Sequence, residues 1–280
     1  MQQTIDSHVH FWDPARLPYS WLQSDPLLNR PYLTDHVPQR VGENEITGIV
    51  FVQAAGDPND ALAEADFVTA LAAADPRIRA IVAFAPLELG TDARPALDAL
   101  KQRPLVRGVR RLLQDKPVGF ARNPNFITGV RSLAAYNFSF DLCIRHWHLP
   151  DTIALVRACP EISFVLDHIG KPNIKNHLLD PWRAQISELA SFPNVLCKIS
   201  GLVTEADHAQ WTPNDLRPYV EHVNNAFGID RVMFGSDAPV AYLASTYTQW
   251  VETLTALLST LTEAERKKLW HTNAATFYRV

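Results

Sequence analysis

The stretch Thr4-Ile5-Asp6-Ser7-His8-Val9-His10 joins a short apolar run to two histidines. Similar runs recur along the chain, and longer segments with helical spacing separate them. Strands that are apolar almost throughout are expected where both faces of a sheet are covered. The predicted strands are Thr4–His8, Gly48–Gln53, Arg79–Ala85, Val106–Leu112, Ser139–Ile144, Ser163–Asp167, Val195–Ile199 and Arg231–Gly235.

The segments between these strands carry the 3.6-residue spacing of amphipathic helices. The clearest are Asp60–Ala74 and Thr246–Leu261. Eight strands that alternate with helices fill the 280 residues, as in a barrel of parallel strands inside a ring of helices. We therefore predict an α/β fold, a distorted (β/α)8 TIM-type barrel, with residues 1–280 forming a single domain.

Two segments interrupt this alternation. Phe11–Asn44 and Gly201–Asp215 are long and irregular, and long loops in compact proteins are usually functional covers or disordered. The first segment is rich in aromatic residues, which favours an ordered loop. We expect the loop at about residues 11–44 to cover the active-site end of the barrel.

The composition excludes several classes of protein. Hydrophobic residues make up 47% of the chain, which argues against disorder, and the net charge of −4 argues against a nucleic-acid partner. No apolar stretch approaches the roughly 18 residues that a membrane-spanning helix requires. Cys143, Cys159 and Cys197 form no C-x-x-C pair, which is typical of a reducing compartment. We expect a cytoplasmic protein with a small-molecule partner, and its oligomeric state stays open.

The two histidines after the first strand are matched by ionisable residues at the ends of other predicted strands. Residues i and i+2 of a strand point to the same side, so His8 and His10 are expected to project together. In barrels of this type, side chains at the carboxyl ends of the strands form the active site. Ionisable residues at the other strand ends are Arg110, Arg111, Arg145, His146, His148, Asp167, His168, Lys198 and Asp237. This accumulation predicts a catalytic site.

Five segments, in this order along the chain, resemble the amidohydrolase superfamily in its lactonase branch: Ile5–Asp13, Gly108–Gln114, Val165–Pro172, Cys197–Glu205 and Met233–Pro239. The likeness is greatest to the L-fuconolactonases and L-rhamnono-lactonases, which hydrolyse sugar lactones. The block Lys198-Ile199-Ser200-Gly201-Leu202-Val203-Thr204-Glu205 is specific to this branch. The H-x-H pair and the final aspartate belong to the wider superfamily.

The resemblance implies that Asp237, His168, His8 and His10 are the catalytic residues. It also implies either no cofactor or one divalent cation, Zn²⁺ before others, bound by the same four residues. Many superfamily members carry a carbamylated lysine after the fourth strand that bridges two metals. Here Val106–Arg111 contains no lysine, so a two-metal centre is not expected. The lactonases commonly have tryptophan where this chain has Ala238, which leaves the shape and preference of the pocket open.

Lactone hydrolysis requires an activated water, a polarised carbonyl and a proton for the departing ring oxygen. Asp237 can act as general base, and His8, His10 and His168 can bind the carbonyl oxygen directly or through a metal. No serine or cysteine nucleophile motif is visible, so direct attack by water is predicted. The predicted substrate-binding residues are Arg110, Arg145, Trp12, Trp21, Trp147, His148 and Lys198.

Several residues keep two interpretations. Lys198, inside an apolar strand, either pairs with a carboxylate or lies near the ligand. Lys171 either faces the ligand or is solvated. Cys143 and Cys197 are interpreted as inert core residues. Surface or packing roles are expected for His36, His177, His208, His222 and His271.

The number of arginines that can face the site indicates which class of substrate it binds. Arg110 and Arg111 are adjacent on one strand, so only one of them can face the barrel interior. One inward-facing arginine and Arg145 are sufficient to bind substrate hydroxyl groups. They are marginal for a substrate with two carboxylates. We predict a hydrolase for a five- or six-carbon aldonolactone in sugar catabolism. The alternatives are a lactonase for muconolactone or pyrone dicarboxylate, a metal-dependent decarboxylase, and a barrel that only binds.

Overall fold

The computed structural model describes residues 1–280 and contains nine strands and nine α-helices. The strands are β1 (Gln2–Val9), β2 (Arg40–Val41), β3 (Asn44–Val52), β4 (Ile78–Ala83), β5 (Val106–Arg110), β6 (Ser139–Leu142), β7 (Phe164–Leu166), β8 (Val195–Ile199) and β9 (Val232–Phe234). The helices are α1 (Ala61–Ala74), α2 (Arg94–Lys101), α3 (Pro124–Tyr136), α4 (Leu149–Ala158), α5 (Trp182–Ala190), α6 (Pro213–Phe227), α7 (Tyr247–Leu257), α8 (Glu263–Lys267) and α9 (Asn273–Tyr278).

The eight longer strands are parallel, and their order in the sheet follows the chain. β1 pairs with β3, and each later strand pairs with the next as far as β9. The seam between the last and first strands is closed by main-chain hydrogen bonds from His10 to Ala238 (2.8 Å) and from Asp237 to His8 (2.9 Å). Register shifts interrupt the ladders of β1, β3, β4 and β5. The fold is therefore the predicted distorted (β/α)8 TIM-type barrel.

The two faces of each strand meet different surroundings. Outward-facing residues such as Ile49, Phe51 and Ile81 pack in the large core beneath the helices. Inward-facing residues such as Val50 and Val82 form a smaller apolar cluster that α9 completes at the amino ends of the strands. This apolar plug closes one end of the barrel and leaves polar side chains to the other end.

The predicted strands all exist, but their limits differ. β8 has the predicted bounds, whereas β5 ends at Arg110 and β6 at Leu142, two residues earlier than predicted in each case. The predictions ran on because Leu112 after β5, and Cys143 and Ile144 after β6, are apolar and buried or half-buried. β2 was not predicted, since two residues give no periodicity; it pairs antiparallel with β3.

The segment between β1 and β2 is built around aromatic side chains. Trp12 and Tyr32 pair through two main-chain hydrogen bonds of 3.0 and 2.8 Å, and their rings meet edge to face. Short 3-10 turns at Ser20–Ser24 and Thr34–His36 complete the segment. No helix anywhere in the structure has both the length and the apolar composition needed to cross a membrane.

Candidate active site

Three histidines surround one carboxylate at the carboxyl ends of the strands. The Nε2 atoms of His8, His10 and His168 lie 3.7, 3.4 and 3.8 Å from Oδ1 of Asp237. All four side chains are at most 5% exposed. The four residues predicted to be catalytic are therefore brought together by β1, the turn after β7 and the segment after β9.

The backbone at this centre is held in an uncommon conformation. Asp237 and His168 both have left-handed backbone, with φ of 60° and 53°. Non-glycine residues adopt this conformation rarely, and they cluster at functional sites where the surroundings enforce it. For Asp237 the enforcing contact is the hydrogen bond from its N–H to the carbonyl of His8, which directs the carboxylate inward.

Burial sets the protonation of the four groups. It lowers the pKa of His8 and His10 and brings that of His168 to about 4. Burial alone would raise the pKa of Asp237, but the three imidazoles around it, His168 first, favour the charged carboxylate and hold that pKa below its usual range. At neutral pH an ionised carboxylate is thus surrounded by neutral imidazoles.

The outer ring nitrogens of the histidines have partners of their own. Nδ1 of His10 lies 2.7 Å from the carbonyl oxygen of Val52, which can only accept, so this nitrogen carries the proton. Nε2 of His10 therefore presents its lone pair to the centre. Nδ1 of His168 lies 2.9 Å from the hydroxyl of Ser200, which can donate or accept, so His168 can adopt either tautomer.

The donor set fits a divalent cation. One ligand atom each from His8, His168 and Asp237 lies within 4.8 Å of the others. An unprotonated nitrogen of His10 that faces a carboxylate oxygen at 3.4 Å puts two lone pairs together, an arrangement that a cation between them relieves. Metal-binding histidines typically donate their other nitrogen to a carbonyl, as His10 does.

A cavity of about 370 Å³ opens above the centre. Its wall includes His10, Trp21, Arg110, Gln114, Lys171 and Asp237, and the indole of Trp21 is fixed by a hydrogen bond of 2.9 Å to the carbonyl of Ala54. A second groove, of about 500 Å³, lies against the start of β1 and the helices α7 and α8. Glutamates line that groove, but no histidine or cysteine does, and the histidine cluster belongs to the first cavity.

A buried ion-pair network lies beneath the histidines. Nζ of Lys198 lies 2.5 Å from Asp141 and 3.0 Å from Asp167, and Asp167 also pairs with Arg110 at 3.3 Å. Oδ1 of Asp167 lies 3.3 Å from Nδ1 of His8. Two cations therefore balance two carboxylates, and both Asp167 and Lys198 lie beside Nδ1 of His8.

The predicted substrate-binding residues divide into three groups. Arg110 and Trp21 line the cavity. Trp12 and Lys198 are fully buried and do not line it, because Trp12 packs within the loop and Lys198 pairs with carboxylates. The third group surrounds the rim.

At the rim, Trp147 is half exposed, and the guanidinium of Arg145 lies 5.6 Å from its ring centre. Arg145 also lies 3.9 Å from Glu205. The imidazole of His148 bonds main-chain atoms of Arg145 and Lys116, so it fixes loops and does not face the cavity. None of these three side chains is part of the cavity wall.

Several wall residues were missed or left open by the sequence, among them Ser20, Gln114, Asp115, Cys143 and Lys171. Gln114 lies two residues beyond a predicted strand end. This closeness to a strand end could have identified it as a residue of the site. Cys143, interpreted as core, lines the cavity with its thiol 3.5 Å from the Gln114 amide oxygen. Burial raises the pKa of this thiol, which keeps it protonated. Lys171, for which two interpretations stood, also lines the cavity.

We expect Gly201→Ala to reduce turnover at least about tenfold, because small displacements of reacting groups are costly. A Cβ at this position would lie 2.5 Å from Nδ1 of His168 and 2.8 Å from Oδ2 of Asp237. Both groups would have to move. Steady-state kinetics with the best lactone measures the effect.

Gly42→Ala is the matched control for this variant. Gly42 has a similar left-handed φ of +56°, against +62° for Gly201, but nothing lies within 4 Å of the added Cβ. It carries the same backbone penalty without the contact, so its turnover should equal that of the unmodified protein. Equal activities for the two variants would contradict the assignment of this centre.

Comparison with known proteins agrees with this geometry. A family model described as Amidohydrolase matches residues 5–280. Two relatives named L-fucono-1,5-lactonase align with nearly the whole chain. The one from Burkholderia multivorans is 34% identical, covering 98% of this chain and 95% of the relative, and the one from Burkholderia ambifaria is 30% identical, covering 99% and 95%.

A solved structure extends the likeness to the fold. The crystal structure of an amidohydrolase from Burkholderia multivorans with bound zinc superposes with a TM-score of 0.87, at 32% identity and 99% coverage of both chains. By the family match over residues 5–280 and by these relatives, the chain belongs to the amidohydrolase family.

Proposed function

We propose that this protein hydrolyses the ester bond of a sugar lactone by direct attack of water. The observation that carries the proposal is that the Asp237 carboxylate lies within 4 Å of three histidine side chains, and that His10, His168 and Asp237 line one cavity. Relatives named L-fucono-1,5-lactonase, at 30% and 34% identity over nearly the whole chain, support the same activity.

Asp237 moves the proton in this reaction. Its carboxylate takes a proton from water as the water oxygen bonds to the lactone carbonyl carbon. When the tetrahedral intermediate collapses, the bond from that carbon to the ring oxygen breaks, and Asp237 returns the proton to the ring oxygen. The product is an open-chain hydroxy acid, which ionises to an aldonate and a proton.

The histidines differ in what they can offer the carbonyl oxygen. His168 can carry its proton on Nε2, because Ser200 can donate to its Nδ1, and so it can donate a hydrogen bond to the developing oxyanion. His10 cannot, since Val52 fixes its proton on Nδ1. We assign oxyanion binding to His168, and we assign His10, whose Nε2 lone pair faces Asp237, to the cation site.

A divalent cation at this centre would be held by His8, His168 and Asp237, with His10 directed at the same carboxylate oxygen. When bound, it would supply Lewis-acid polarisation of the carbonyl. Zn²⁺ suits a mixed imidazole and carboxylate set.

We expect at most one zinc ion per chain. Arg110 occupies the strand end where a bridging lysine would stand, and its guanidinium lies 3.4 Å from Nε2 of His8. A cation at that point disfavours a second metal ion nearby. Elemental analysis of the purified protein measures the stoichiometry, and two equivalents per chain would refute this account.

The cavity favours a polyhydroxylated and uncharged substrate. Trp21 offers an apolar wall, and Gln114 and the histidines offer hydrogen-bonding groups for hydroxyls. Arg110 is engaged by Asp167 and by the carbonyl of Gln53, so it is not free to clamp a carboxylate. We therefore propose a five- or six-carbon aldonolactone, L-fucono- or L-rhamnono-lactone first, in sugar catabolism.

The proposal is tested with a panel of aldonolactones, followed by proton release at constant pH, with and without a chelator. Hydrolysis of at least one lactone, with the aldonate as product, is expected. Activity that survives chelation would assign polarisation of the carbonyl to the histidines alone. No hydrolysis of any aldonolactone, with or without added Zn²⁺, would refute the function.

A further inference from the structure

The turn after β7 has an unusual backbone. His168, Ile169, Gly170 and Lys171 are all left-handed, with φ of 53°, 48°, 75° and 48°. An isoleucine in this conformation is a clear outlier, because its branched Cβ crowds the backbone. The turn persists because Ile169 and Gly170 are buried and Trp182 donates a hydrogen bond of 2.8 Å to the Ile169 carbonyl.

This backbone aligns two side chains. The N–H of Lys171 bonds the carbonyl of His168 at 2.9 Å. In a turn closed by such a bond, the first and fourth residues lie one above the other. His168 and Lys171 accordingly both line the cavity. The conformational strain places an ammonium group beside a catalytic imidazole.

Lys171 forms no salt bridge, and the carboxylates of Asp115 and Glu205 lie in its neighbourhood at more than 4 Å. Its Nζ donates a hydrogen bond of 2.6 Å to the amide oxygen of Gln114, a neutral group. The other cation of the cavity wall, Arg110, is paired with Asp167. At the rim, Arg145 lies 3.9 Å from Glu205. Lys171 is therefore the cation in the cavity wall whose charge is available to a ligand.

Hydrolysis creates an anion in this cavity. A neutral lactone enters, and an aldonate with a new carboxylate at C1 is formed beside the negative charge of Asp237. Without a cation nearby, two carboxylates would repel each other in a buried site. We propose that Lys171, held by the left-handed turn, forms a carboxylate subsite that binds C1 of the aldonate; this inference rests on the proposed function.

Isothermal titration calorimetry with L-fuconate and L-fucitol tests the subsite. The two ligands share the hydroxyl groups at C2 to C5 and differ at C1, where L-fuconate has a carboxylate and L-fucitol has a hydroxymethyl group. We expect the unmodified protein to bind L-fuconate more tightly. Lys171→Met should raise the Kd of L-fuconate at least about tenfold, the scale of a charge-assisted hydrogen bond, and should change the Kd of L-fucitol by less than about twofold.

Lys175→Met is the control, since Lys175 is 65% exposed and stands outside the cavity wall; neither Kd should change. The subsite is overturned if Lys171→Met weakens both ligands equally or neither, or if the unmodified protein binds L-fuconate no better than L-fucitol. A protein that shows the expected pattern but hydrolyses no aldonolactone would refute the proposed function and retain the subsite. Hydrolysis without the pattern would refute the subsite alone.

Discussion

Asp237→Asn is expected to lower kcat by a factor of about 10² to 10⁴, the usual contribution of a positioned general base. The amide has nearly the shape of the carboxylate but cannot accept the proton of water. The main-chain hydrogen bond from residue 237 to His8 does not involve the side chain, so the barrel seam should persist. Turnover of the best aldonolactone gives the effect, and circular dichroism checks the fold.

Asp207→Asn is the control for this change, because Asp207 is about half exposed and lies on a loop outside the cavity. Its kcat should be unchanged. Near-normal turnover in Asp237→Asn would remove Asp237 from the proton transfers, whatever the control shows.

Lys198→Met should lower the free energy of unfolding by about 3 to 5 kcal/mol, the cost of breaking a buried ion pair by removing one partner. Lys198 is fully buried between Asp141 and Asp167. Methionine fills a similar volume but leaves the two carboxylates facing each other. The pKa of Asp141, already raised to about 6 by burial and by Asp167, should rise further. Urea denaturation at pH 7 measures the loss.

Lys175→Met, at an exposed position, should change the free energy of unfolding by less than about 0.5 kcal/mol. Asp141→Asn in the Lys198→Met background removes the carboxylate that the first change leaves without a cationic partner, whereas Asp167 keeps Arg110. The double variant should therefore lose less than the sum of the two single losses. A loss below about 1 kcal/mol for Lys198→Met would show that the network does not hold the barrel interior together.

The fold was predictable because strand and helix periods alternate throughout the chain. The catalytic centre was predictable for a related reason: parallel strands bring their carboxyl ends to one edge, so His8, His10, His168 and Asp237 had to lie near each other. The predicted opposite directions of Arg110 and Arg111 follow from strand geometry as well. Arg110 is buried within the barrel, and Arg111 pairs with Glu88 outside it.

Other features depend on information that periodicity does not carry. The left-handed backbone at His168 to Lys171 is enforced by contacts from α5, so the direction of Lys171 could not be read from its neighbours in sequence. The burial of Trp12 comes from its pairing with Tyr32, twenty residues away, within a segment that has no repeat. Lys198 was placed near the ligand because both of its carboxylate partners belong to other strands.

The central claim is tested most directly by a ratio of kcat/KM values measured on one preparation. The substrates are L-fucono- and L-rhamnono-lactone on one side, and a muconolactone and a pyrone dicarboxylate on the other. Because Arg110 is paired with Asp167, the site offers one carboxylate contact, at Lys171, whereas a pyrone dicarboxylate needs two. A muconolactone has one carboxylate but lacks the several hydroxyls that the polar groups of the cavity wall can bind. We expect the best aldonolactone to exceed both acids in kcat/KM. A larger kcat/KM for either acid than for every aldonolactone would contradict the assignment.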